Sequence, residues 1–180
     1  GFFLNEIKIG SNDAGLIGDT KVDPKTIQDP MYRSGLALSG AQSTFNLWKN
    51  GEVPLPSNDG ILMAAEVALL NLRGTDLVVL SACETATGEV LDGEGVMGLR
   101  RALSAAGATN TILTLWPVDD AATVEVMEVF YGKYLRGIPA SQALAEVQRE
   151  LFQPWVEKYG EVETISRLAP FICTSIGPVQ

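Results

Sequence analysis

The chain has 180 residues, 46% of them apolar, and a formal net charge of −9. That length suits one domain with a sizeable core, and the acidic balance argues against a nucleic-acid surface or an anionic membrane face, which both need basic clusters. Two cysteines, Cys83 and Cys173, are too few for a disulfide scaffold and point to a reducing, cytoplasmic compartment, and no apolar run approaches the roughly 18 residues of a bilayer span.

In chain order, residues 1–34 are weakly patterned and rich in Gly, Asp, Asn and Pro, which reads as a long surface segment. The opening Gly1-Phe2-Phe3-Leu4 lacks an initiator Met, so residues 1–180 are read as a single domain cut from a longer protein. Residues 35–39 suit a short strand, and residues 40–60, with turn signals at Asn50-Gly51 and Asn58-Asp59-Gly60, a second loop. Leu62, Ala65, Leu69 and Leu72 recur at helical spacing and predict a helix over 61–72, with Asp59 as its N-cap. A buried strand follows at 77–82, then a helix at 95–106 closed by Gly107. A second buried strand spans 111–116. Helices at 121–135 and 141–152 are divided by Gly137-Ile138-Pro139, and a last strand covers 171–176. This alternation predicts an α/β domain with a mainly parallel sheet.

Three segments carry candidate chemistry. The first is Leu77-Val78-Val79-Leu80-Ser81-Ala82-Cys83, which delivers a thiol to the carboxyl end of a strand, where open α/β sheets bind ligands. A free thiol has a pKa of about 8.5 and needs a base or a positive neighbour to act at neutral pH. The nearest charges are Glu84 and Glu89, and the chain contains no histidine. Against the catalytic reading stands a small buried hydrophobe, which is also the reading for Cys173. The second is Gly93-Glu94-Gly95-Val96-Met97-Gly98, which matches G-x-G-x-x-G at the start of a helix. A dinucleotide fingerprint needs the strand to run straight into the first glycine. Here about ten residues intervene, so a loop followed by close helix packing is preferred and no cofactor is expected. The third is Asp119-Asp120 after Leu115-Trp116-Pro117-Val118. Two acids at the sheet rim suit a cationic side chain, and one of them also suits the N-cap of the following helix.

Together these segments resemble the CHAT domain, a caspase-like family related to the separase peptidases and often attached to TPR repeats. The resemblance rests on Ser34-Gly35-Leu36-Ala37-Leu38, Asp59-Gly60-Ile61-Leu62, residues 77–85, residues 93–102, Ala106-Gly107-Ala108, residues 115–123 and Phe130-Tyr131, in order over most of the chain. It implies a three-layer caspase-like sandwich, with further strands and a catalytic His lying before Gly1. It implies Cys83 as the nucleophile, the Gly1 and Cys83 amides as an oxyanion hole, and an acid that reads a basic residue before the cut. Asp120 matches that acid best and Asp119 second. One departure is Leu168, where family members tend to carry Trp.

The expectation is a cysteine endopeptidase acting on a protein or peptide substrate, with a TPR or other helical-repeat region in the same parent protein. It uses no metal or cofactor and has no nucleic-acid or membrane partner. On its own this chain is expected to be inactive for want of the His. The alternatives are a non-catalytic scaffold that binds basic peptides and, more remotely, a nucleotide-binding α/β domain.

Overall fold

The computed structural model describes residues 2–3, 16–17, 20–21, 29–50, 59–80 and 94–176. The chain divides into two units, Gly1–Leu70 with Ala86–Ala102, and Asn71–Thr85 with Leu103–Gln180.

In the first unit, strand β1 (Phe2–Phe3) is followed by a hairpin of β2 (Leu16–Ile17) and β3 (Thr20–Lys21). A 3-10 turn at Pro30–Tyr32 then leads into β4 (Ser34–Ala37). The expected surface segment 1–34 thus holds short strands: β1 pairs antiparallel with β4, Phe3 opposite Ser34. The expected loop 40–60 contains a helix, α1 (Ala41–Lys49). Its sequence is rich in Ser, Thr and Asn, yet Ala41, Phe45 and Trp48 fall on one face and pack with Ile61 and Met63. Thr44 is buried on the same helix and donates its hydroxyl to the Asp59 carbonyl at 2.6 Å.

The helix expected over 61–72 is a second correction. Ile61–Met63 form strand β5, antiparallel to β4, and only Ala64–Val67 are helical (α2). A short apolar run suits either element, and here pairing with β4 decides it. Leu69 is 86% exposed, so the periodicity that suggested the helix serves no core. Asp59 does not cap a helix: its Oδ1 accepts the Ile61 N–H at 2.9 Å and closes a local turn. The helix start is held by Glu66, whose carboxylate accepts the Met63 N–H at 2.8 Å.

The remaining elements are β6 (Leu77–Leu80), α3 (Glu94–Ala106), β7 (Asn110–Thr114), α4 (Asp120–Tyr134), α5 (Ala140–Tyr159), α6 (Glu161–Leu168) and β8 (Phe171–Ser175). The second unit holds a sheet of order β6-β7-β8. β6 and β7 are parallel and β8 returns antiparallel to β7. The α/β class stands, with parallel pairing confined to β6–β7 among the described residues. The turn after α6 sets the direction of β8, since the Leu115 N–H donates to the Pro170 carbonyl at 3.0 Å and starts the strand beside the end of β7.

Helices α4, α5 and α6 cover one face of this sheet. Val126 and Phe130 of α4, Leu144, Val147 and Trp155 of α5, and Leu168 of α6 bury themselves with Ile112 and Phe171. Each such side chain contributes about 1.5–3 kcal/mol of transfer free energy. Leu168, the residue that departs from the family's Trp, is 3% exposed, so a leucine fills that place. The alternate residues of β7, Thr111 and Leu113, are buried too, so both faces of the strand are covered. Helix α5 runs past the predicted end at 152 and through Pro154, because Leu151 and Trp155 on either side are core residues. Helix α6 was not foreseen, although Glu161 and Glu163 in its first turn and Arg167 in its last match the helix dipole.

Candidate functional site

Parallel pairing brings two chain segments out at one edge of the sheet. The register runs from Leu77 opposite Asn110 to Leu80 opposite Leu113, so both strands end within a residue of each other. The chain leaving β6 leads to Cys83, and the chain leaving β7 leads to Asp119 and Asp120. Cys83 lies outside the described residues, as do Gly1, Glu84 and Glu89.

The segment after β7 is fixed at several points. Trp116 donates its indole N–H to the Ser166 carbonyl at 3.0 Å. Asp119 is the N-cap of α4: its Oδ1 accepts the Ala122 N–H at 3.0 Å and its carbonyl accepts the Thr123 hydroxyl at 3.1 Å. Its other oxygen, Oδ2, pairs with the Arg167 guanidinium. The cap hydrogen bond from Ala122, helped by the Arg167 charge, holds the Asp119 carboxyl below the usual carboxylate range. Arg167 also donates to Glu163 Oε1 at 2.8 Å, and its guanidinium carbon lies 4.6 Å from the centre of the Tyr159 ring.

Asp120 differs. It is the first residue of α4, it is exposed, and its carboxylate has no hydrogen bond or ion pair among the described residues. A carboxylate in the first turn is favoured by the helix dipole, and this one is open to a cation from outside. The residue pattern left open which acid caps the helix, while the family resemblance ranked Asp120 ahead of Asp119 for a basic side chain; the geometry gives the cap to Asp119. Arg167 was missed as a site neighbour because it lies 48 residues from Asp119 on a helix that the sequence reading lacked.

At the end of β7, Thr114 is 5% exposed and its Oγ1 has no hydrogen-bond partner among the described residues. Cys173 sits half-buried in β8 against the helical core, and burial pushes its thiol up, which fits a packing residue.

The glycine motif has a structural use at its third position. A Cβ on Gly98 would lie 2.3 Å from Ser34 Oγ and 2.7 Å from the Pro30 carbonyl oxygen, so α3 packs directly on the turn before β4. Among the described residues no cluster of His, Cys, Asp or Glu is placed to hold a metal ion, and no helix is long and apolar enough to cross a membrane.

The CHAT domain family model matches residues 15–162. Tetratricopeptide repeat protein 28 of Mus musculus is 40% identical over 95 residues, which is 52% of this chain and 4% of that protein. The Homo sapiens protein of the same name is 38% identical over 94 residues, with the same shares. The chain therefore matches only a small part of the length of these relatives. No solved structure matches it. The match over residues 15–162 and the mixed helix–sheet fold agree, and the chain belongs to the CHAT domain family, a caspase-like, peptidase-related family of α/β fold.

Proposed function

We propose that this chain forms part of a cysteine endopeptidase that cuts proteins after a basic residue. A histidine from outside these 180 residues takes the Cys83 proton. The thiolate attacks the peptide carbonyl, and the Gly1 and Cys83 amides stabilise the oxyanion. The imidazolium then gives its proton to the leaving amine, and water hydrolyses the thioester to free Cys83. Asp120 receives the Lys or Arg side chain before the cut. Asp119, committed to its cap and to Arg167, is the weaker candidate.

The observation that supports this reading is the parallel β6–β7 pair: the two strands end in register, and the sequence runs on from one to Cys83 and from the other to Asp119 and Asp120. The relatives carry tetratricopeptide repeats in their name, which supports a helical-repeat region in the same parent protein as the partner that presents substrate. We place that protein in the cytoplasm.

The test is a peptidyl acyloxymethyl ketone bearing Arg next to the reactive carbon, applied to the full-length protein and read by peptide mapping. The chain's two cysteines give an internal control. The reading expects the adduct on Cys83 and not on Cys173; labelling of Cys173 alone, or of neither, contradicts it.

A further inference from the structure

Arg167 has no part in the chemistry just described, yet it binds three groups around the acidic rim. It pairs with Asp119 Oδ2, it donates to Glu163, and it lies over the Tyr159 ring. Glu163 shares α6 with it, one turn earlier, while Tyr159 closes α5. Trp116, on the segment leading to the acids, is tied to the same helix through Ser166. Two tethers therefore run from α6 to the connection between β7 and α4, one on each side of Pro117-Val118.

We propose that Arg167 is a positioning residue for substrate recognition: by occupying Asp119 it fixes the N-terminus of α4 and leaves Asp120 as the single carboxylate offered to an incoming basic side chain. This rests on the reading of Asp120 as the acid that receives Lys or Arg. The physical argument is one of available lone pairs and charge. Asp119 spends one oxygen on the helix cap and the other on a guanidinium, a charge-assisted contact that a mobile substrate cation must displace. Asp120 has neither constraint. Without Arg167, the rim would present two adjacent acids on a less restrained helix start, and the geometry of Asp120 would no longer be set by α6.

The experiment uses the full-length protein carrying Cys83→Ala, so that peptides bind without turnover. Two labelled peptides are compared by fluorescence anisotropy, identical except for Arg or the neutral isostere norleucine at the recognised position. The ratio of their affinities isolates cation reading from general binding and from loss of folded protein. Asp120→Asn is expected to reduce that ratio about tenfold, the loss of one charge-assisted contact. Arg167→Ala is expected to reduce it at least threefold with the norleucine peptide unaffected, and Arg167→Lys, which keeps a cation beside Asp119, to restore most of it. If Asp120→Asn lowers the ratio but Arg167→Ala leaves it unchanged or raises it, the positioning role falls and the Asp120 reading stands. If neither variant changes the ratio, or the parent does not prefer the Arg peptide, both fall.

Discussion

Gly98→Ala separates two meanings of the same glycine. As an isolated helix substitution it stabilises, because alanine is better than glycine in a helix interior by about 1 kcal/mol. In this structure the added methyl meets Ser34 Oγ at 2.3 Å and the Pro30 carbonyl oxygen at 2.7 Å. Neither neighbour yields freely. Ser34 is fully buried and its hydroxyl donates to the same Pro30 carbonyl at 2.7 Å, and Pro30 is backbone in a 3-10 turn. Overpacking of this kind costs about 1–3 kcal/mol, and displacing the Ser34 hydrogen bond adds about 0.5–1.5 kcal/mol. Set against the helix gain, the net is a loss of about 0.5–3.5 kcal/mol. The assay is urea denaturation of wild type, Gly98→Ala and the double variant Ser34→Ala with Gly98→Ala. The double variant should recover part of the loss, since Ser34→Ala removes the nearer contact and leaves the carbonyl. A stabilised Gly98→Ala chain would refute the close packing of α3 on this turn.

Further outcomes follow from the second unit. Phe130→Ala should cost about 3–5 kcal/mol, because the ring is fully buried and stacks on Tyr134 at 5.6 Å; denaturant midpoints measure it. Asp119→Ala should cost about 1 kcal/mol through loss of the α4 cap, read by the same titration. Because the Asp119 carboxyl is lowered in the folded state, its contribution is fully present above the ordinary carboxylate range and is lost as pH falls through its folded value. Acid unfolding below about pH 4 should therefore be shallower in Asp119→Asn than in wild type. Thr114→Val replaces a buried hydroxyl lacking a partner among the described residues, and should leave thermal stability unchanged or raise it, in contrast to the loss expected at a satisfied threonine such as Thr44.

What the sequence revealed depends on how far each signal lies from tertiary choice. β6, α3, β7 and α4 were legible because an apolar strand followed by a long periodic helix has few other readings, although β6, expected to be buried, is half-buried along Leu77–Leu80 while β7 is buried. The run Ile61-Leu62-Met63 was misread because strand and helix share its apolar pattern and only pairing with β4 separates them. Helix α1 hid behind Ser, Thr and Asn, one of which, Thr44, finds a partner 15 residues away. The helix expected over 141–152 continues through Pro154, because packing of Trp155, whose indole N–H donates to Glu125 at 3.0 Å, outweighs the local preference of a proline. At the rim, the two acids were legible as a pair with Asp120 ranked first for a basic side chain, while the pairing of Asp119 with Arg167 was not, because Arg167 arrives from a distant helix.

The central claim is that Cys83 and Asp120 act at one sheet edge on a basic substrate. Its most direct measurement is cleavage of an unlabelled polypeptide by the full-length protein, with the new termini read by mass spectrometry. The account predicts cuts after Lys or Arg that disappear in Cys83→Ala and weaken in Asp120→Asn. Cleavage that persists in Cys83→Ala, or cuts that ignore basic residues, would contradict it.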